Sequence, residues 1–261
     1  MGMVLSMLSN TALKKIGAHF QGDPGVESSL ALFQLDAMKD RELTEALMHR
    51  AAEAGFSAIV LTVDAPVSGR REQDIRNGFR VADTLPLPHV ESLARDANSR
   101  LLAFELAKDP SLDWVRLREL VAASPLPLWL KGVMRPEDAL TAVDGGVSGI
   151  ILSNHGGRQM DSAPAALDVL PRVRQALNEG GHAVPLLIDG GVRRGEHVFA
   201  ALALGADAVL VGRPVVWGLA EGGRSGVSRV LGLLNEELVT AMRLAGCTSL
   251  AEIGMDGLVP R

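Results

Sequence analysis

Apolar residues along this chain follow two alternating patterns. Short continuous runs such as AIVLTV, GIILS and AVLVG recur seven times, at residues 3–8, 30–35, 57–63, 126–131, 149–153, 184–188 and 208–211. Runs of that length without polar alternation predict strands buried on both faces, as in a parallel sheet covered by helices. Between them apolar residues return every three or four positions, the mark of amphipathic helices. The stretch 40–54 puts Leu43, Ala46, Leu47, Ala51 and Ala54 on one stripe, with Asp40 as N-cap and Gly55 as terminator. Helices are likewise predicted over 136–143, where Pro136 precedes two acids, and over 165–178, 194–204 and 225–245.

Strand and helix alternating over one domain-sized chain leave a (β/α)8 barrel or an open doubly wound sheet. The barrel is favoured, because no GxGxxG follows the first strand and a barrel of about 250 residues matches the length. Seven strands are visible rather than eight, as if a preceding βα unit were absent. The expected fold is therefore an α/β (β/α)8 TIM barrel lacking its N-terminal segment and first strand, with seven βα units in a single domain over 1–261. Residues 65–125 form one long connection, with helical patterns at 90–107 and 112–123. It reads either as a lid or as a plain surface excursion.

Composition narrows the function classes. With 47% hydrophobic and 22% charged residues in a chain of 261, the protein has the make-up of a globular domain and not of a disordered one. Lys and Arg number 26 against 31 Asp and Glu, a net charge of −5 without a basic run, which argues against nucleic acid as a partner. A lone cysteine, Cys247, excludes internal disulfides and fits a reducing cytosol. No basic segment precedes an apolar stretch at the start, and no apolar run reaches about 18 residues, so neither a secretory signal nor a transmembrane helix is expected. Met1-Gly2 with Ser6 fits a loose acylation pattern, but Ser6 is better read as the end of the first strand.

The chemistry lies where the strands end. Ser6 closes the first run, Gln34 the second, Thr62 and Asp64 the third, and Lys131 the fourth; the fifth enters SNHGGR (153–158), the sixth DGGVRRG (189–195), and the seventh stops at Gly212-Arg213. In a (β/α)8 barrel these ends converge on the face that carries active sites. Glycines let backbone N–H groups approach an anion, and Arg193 and Arg213 supply charge-assisted donors, so the last two loops predict a phosphate site, with ordinary glycine turns as the plain alternative. His155 could take a proton, Arg158 could grip a carboxylate, and Asp64 could stabilise the imidazolium. Lys131 could place a positive charge where electron density builds up on a cofactor. The remaining histidines have no ligand spacing, no metal site is expected, and Trp114, Trp129 and Trp217 read as packing residues.

Together these segments resemble the FMN-dependent α-hydroxy-acid oxidising enzymes, the family of glycolate oxidase, lactate oxidase, L-lactate dehydrogenase and (S)-mandelate dehydrogenase. The resemblance is carried by FQLDAMKDREL, TVDAPVSGRREQDIRNGF, LPLWLKGVMRPEDA, SNHGGRQMDSAPAALDVLP and LLIDGGVRRG with VGRPVVWGLA. It implies FMN as cofactor and a small 2-hydroxy acid such as lactate, glycolate or mandelate as substrate. The electron acceptor is then oxygen, a quinone or a cytochrome. It also implies a homo-oligomer, a tetramer in the family, located in the cytoplasm or peripherally at the inner membrane. The resemblance makes His155 the base, Asp64 its partner, and Arg158 and Arg71 the substrate-carboxylate arginines. Lys131 would sit at the flavin N1/O2 edge. Ser6, Gln34, Thr62 and Ser153 would contact the flavin ring or ribityl chain, and Asp189, Gly190, Gly191, Arg193, Gly212 and Arg213 the ribityl chain and phosphate.

The sequence departs from the family at points that matter. Asp36 stands in FQLD where the family has an active-site tyrosine, and there is no tyrosine anywhere in the chain. A carboxylate there would repel a substrate carboxylate at short range. The family's N-terminal segment, with a second tyrosine, has no counterpart, and the segment after Phe79 is short for the family's mobile loop. Three readings follow: an active 2-hydroxy-acid oxidoreductase, a degenerate flavin-binding homologue with little turnover, and another phosphate-binding FMN barrel.

Overall fold

A computed structural model describes residues 2–21, 30–82, 84–93 and 97–258. The chain forms two compact units, one comprising residues 1–132 and 142–148, the other residues 133–141 and 149–261.

In the first unit, β1 (Met3–Ser6), β2 (Ala31–Asp36), β3 (Ala58–Thr62) and β4 (Leu128–Val133) pair in chain order, all parallel. The β3 run AIVLT is buried at every position, as an apolar run without alternation requires. Register aligns the strand ends: Ser6 lies opposite Gln34, Asp36 opposite Thr62, and Thr62 opposite Lys131. The first strand stops at Ser6, short of the expected residue 8, because Met7 and Leu8 turn and Leu8 N–H donates to Ser6 Oγ at 3.1 Å.

Helix α2 (Arg41–Glu53) starts as the sequence predicts, with Asp40 Oδ1 accepting from Leu43 N–H at 3.1 Å. Helix α1 (Leu13–Gln21) was not expected. Its signal was diluted by Gly17, a poor helix former. Gly17 is there because α1 passes so close to Ala54 that a Cβ would collide with that residue's carbonyl. Phe33 of β2 packs edge-on against Phe56, ring centroids 5.9 Å apart.

The long connection holds α3 (Glu72–Arg76), a 3-10 turn at Glu91–Leu93, α4 (Ala97–Ala107) and α5 (Trp114–Ala123). Within the helical pattern expected over 90–107, the described helical parts are this 3-10 turn and α4, and α5 starts two residues late because Asp113 caps it, accepting from Arg116 N–H at 2.8 Å. Its return leg is tied down: Met38 and Lys108 form an antiparallel bridge, Lys39 N–H donates to Ala107 O at 2.8 Å, and Asp109 N–H to Ala37 O at 2.9 Å. Lys108 is 6% exposed; its ammonium pairs with Glu105 at 2.8 Å and lies 5.0 Å from the centre of the Phe104 ring.

In chain order α6 (Pro136–Asp144) follows β4 and opens with the expected proline and acids. In the second unit β5 (Gly149–Leu152), β6 (Leu186–Ile188) and β7 (Ala208–Val209) are parallel, with Leu152 opposite Ile188 and Ile188 opposite Val209. They are joined by α7 (Ala166–Glu179) and α8 (Gly195–Ala203) and followed by α9 (Arg213–Leu244). The sequence placed this last helix at 225–245. It begins earlier because Pro214 occupies the first turn, where its missing N–H costs nothing. Non-helical Gly222 and Gly223 then break it into two segments. These double back until Gly218 and Gly226 meet so closely that a Cβ on Gly226 would strike the Gly218 carbonyl. Among the described residues no helix is long and apolar enough to cross a membrane.

Candidate active site

The first unit presents its candidate side chains from straight strand ends. Gln34 Nε2 donates to Thr62 Oγ1 at 2.9 Å, joining β2 to β3 across the sheet. Thr62 and Lys131 are each 5% exposed, although both are polar. Val63 N–H donates to the Lys131 carbonyl at 2.8 Å, fixing the segment that carries Asp64. Asp64 packs on Gly132, whose φ of 110° only glycine adopts readily; a Cβ there would lie 2.6 Å from Asp64 Cβ. Asp36, half-buried, ends β2, its backbone N–H directed at Met7 Sδ at 3.3 Å. Arg71 precedes α3, and its Nε is shielded from solvent with no hydrogen-bond partner. A guanidinium edge left so is suited to an anion.

The second unit presents its candidates from loops. His155 has φ 57°, the one non-glycine residue with positive φ among those described. A backbone held there costs of order 1–3 kcal/mol and is found where the fold over-determines a functional group. Three bonds over-determine it: His155 N–H donates to Ser153 Oγ at 3.0 Å, Gly157 N–H to Asn154 Oδ1 at 3.1 Å, and Asn154 Nδ2 to Pro164 O at 3.1 Å. Ser153 is fully buried, whereas Arg158, three residues past His155 in the same turn, is exposed. Arg213 Nη2 donates to Gly156 O at 3.1 Å, so the loop after β7 braces the loop after β5.

Asp189 follows β6 and is half-buried, leading into Gly190 and Gly191, both at positive φ. No atom lies within 4 Å of a Cβ built on Gly191 or Gly212. The neighbouring arginines diverge. Arg194 turns to Glu237, Nε to Oε1 3.0 Å, while the Arg193 guanidinium lies 5.4 Å from the centre of the Trp217 ring in the first turns of α9.

The N-termini of α8 and α9 differ in kind. That of α8 is occupied, since Gly195 N–H donates to Glu237 Oε2 at 2.8 Å. That of α9 has no side-chain cap. An uncapped helix start with an open glycine before it, Arg213 within it and Arg193 beside it has the donors a phosphate requires. The residues present therefore fit the phosphate end of FMN.

Sequence reasoning missed Asn154, Glu237 and Trp217. Asn154 had a signal, since asparagine before a histidine and two glycines reads as a side chain closing its own turn. Glu237 had none, lying 42 residues from the backbone it caps. Trp217, expected to be a packing residue, is 53% exposed, because it sits on the free side of α9 facing Arg193.

Parallel strands that align polar residues at their C-terminal ends, followed by glycine loops and an uncapped helix start with two arginines, define an α/β protein built to hold a phosphate-bearing cofactor. The chain belongs to the FMN-dependent dehydrogenase family, which it matches over residues 1–260. It is 47% identical to an L-lactate oxidase of Nostoc sp. over 262 residues, covering 97% of this chain and 69% of that one. It is 44% identical to a 2-hydroxyacid oxidase of Dictyostelium discoideum, covering 96% of this chain and 63% of the relative. The solved structure of an active mutant of (S)-mandelate dehydrogenase superposes with a TM-score of 0.86 at 35% identity, over 100% of this chain and 72% of that one. The seven βα units thus have the (β/α)8-barrel class of fold expected from the sequence. The chain spans about two thirds of the length of the relatives it matches.

Proposed function

We propose that this protein uses FMN to oxidise a small L-2-hydroxy acid, of the lactate, glycolate or mandelate type, to the 2-oxo acid. Bound FMN would accept the two electrons that leave the substrate, for delivery to oxygen, a quinone or a cytochrome. The observation that carries this reading is the strand-end set: Gln34 bonded to Thr62, Thr62 in register with Lys131, and His155 held at positive φ. It supports a division of labour among the side chains. His155 takes the proton released as the substrate is oxidised, and Asp64 stabilises the resulting imidazolium. Arg158 and Arg71 bind the substrate carboxylate, Arg71 with the Nε edge that lacks a partner. Buried Lys131 offsets negative charge at the flavin N1/O2 edge. Ser6, Gln34, Thr62 and Ser153 serve the flavin ring and ribityl chain; Asp189, Gly190, Gly191, Arg193, Gly212 and Arg213 serve the ribityl chain and phosphate.

Residues 65–125 are proposed as a lid-like insertion in one catalytic domain, and a tetramer as the working assembly, both by resemblance. A cytoplasmic location, or a peripheral one at the inner membrane, agrees with the single cysteine. Anaerobic addition of L-lactate, glycolate or (S)-mandelate to FMN-loaded protein tests the function. Loss of the oxidised-flavin absorbance with one of them is the expected result. Retention of absorbance with all three, while FMN remains bound, favours the degenerate flavin-binding homologue that Asp36 suggests.

A further inference from the structure

We infer that Trp217 is a positioning residue for the cofactor phosphate, acting by holding the Arg193 guanidinium over its ring. The inference rests on the FMN reading above. Arg193 and Arg194 are chemically identical neighbours, yet one is paired to a carboxylate and the other faces an aromatic ring. Arg194 is drawn to Glu237 at 3.0 Å, and the same carboxylate caps the start of α8. Arg193 is held differently at its two ends. Its backbone N–H donates to His197 Nδ1 at 3.3 Å, and its guanidinium lies 5.4 Å from the centre of the Trp217 ring. Trp217 is four residues into α9, so this places the guanidinium beside the uncapped end of that helix, where Arg213 is the first residue.

A ring face attracts a guanidinium without using its N–H donors, leaving them for phosphate oxygens. A carboxylate in the same place would occupy those donors and neutralise the charge. The exposure of Trp217 follows from the same role, because a ring that serves as a platform keeps one face open. In the unbound chain an exposed arginine would otherwise sample many rotamers, and the ring removes part of that freedom before the phosphate arrives.

FMN and riboflavin differ only in the phosphate, so their affinity ratio isolates this effect. The whole chain, stripped of flavin, is titrated with each ligand by fluorescence quenching. Trp217→Leu is expected to lower the preference for FMN over riboflavin about two- to fivefold, the range of an exposed cation–π contact. Riboflavin affinity should stay unchanged, Trp217→Phe should keep most of the preference, and Trp217→Leu should change nothing further once Arg193 is Gln. A preference that survives Trp217→Leu overturns the inference alone. So does a loss that is equal for both ligands, or one that is as large with Gln at 193. A wild-type chain that binds both flavins equally removes the phosphate site itself and the FMN reading with it.

Discussion

The two units present their candidate residues by different means. In the first, polar side chains end regular strands in register, with Thr62 and Lys131 buried and Gln34 bonded to Thr62 across the sheet. In the second, the candidates lie on loops whose backbone visits positive φ at His155, Gly156, Gly157, Gly190 and Gly191, and several are exposed. Strand ends fix side chains through the register of the whole sheet, so they suit groups that tune a bound ring electronically. Loops put backbone N–H groups and a proton-accepting imidazole within reach of ligands, at the cost of local strain. Substitutions at the first unit's strand ends should therefore register in stability as well as turnover, and those in the second unit's loops mainly in turnover.

The largest expected effect breaks that comparison most sharply. His155→Asn keeps a residue type that tolerates positive φ but removes the base, and should lower kcat by about 100- to 10,000-fold with unchanged thermal stability. His155→Gly should be equally inactive yet at least as stable as the wild type, since it relieves the strained backbone. A large fall in melting temperature for either would mean that His155 is mainly structural.

Alanine at two glycines sharpens the contrast. At Gly132 the new Cβ meets Asp64 at 2.6 Å and the backbone φ is 110°, so Gly132→Ala should cost about 2–4 kcal/mol in denaturant unfolding. At Gly191 the space is open and only φ opposes the change, so Gly191→Ala should cost about 1–2 kcal/mol. Equal costs at the two positions would remove the steric argument for Gly132.

The smallest effect is a pH dependence in the first unit. Burial holds the His89 pKa below its ordinary value of 6.5, against a raising contribution from the Thr11 carbonyl that its Nε2 contacts at 3.3 Å. The unfolded chain then binds the proton more readily than the folded one. The stabilising contribution of neutral His89 is complete above pH 6.5 and declines as the pH falls toward the lower folded pKa. His89→Phe would keep an aromatic edge against Phe33, which His89 meets at a centroid distance of 5.7 Å. It should flatten the stability profile between pH 7 and pH 5, and an unaltered slope would assign the dependence to other groups.

Much of the fold was legible because it is local. Apolar runs marked all seven strands, and Asp40 and Gly55 bounded α2 as capping chemistry requires. The strand-end residues could be picked out for the same reason, since a polar residue closing a buried run is visible without any partner. What escaped was decided by distant segments. Gly17 lowers the helical signal of α1 but is demanded by Ala54, and Trp217 looks like any core aromatic until Arg193 is found over it. Asp36 was visible as a departure. Its structural setting is a half-buried strand end opposite Thr62.

The crossing of Gly218 with Gly226 has a consequence for ligand traffic. The starts of α8 and α9 lie within one unit, and each would attract an anion if it were bare. The tight crossing returns the distal segment of α9 to the start of α8, where a Cβ on Gly195 would strike the backbone of Leu238 and where Glu237 takes the N–H. One start is thereby silenced and the other left open. A methyl group at 226 would push the returning segment away, withdraw Glu237, and turn the start of α8 into a decoy that competes for the same phosphate. On the proposed phosphate reading, which of these two helix starts stays open is governed from a glycine pair at the turn within α9.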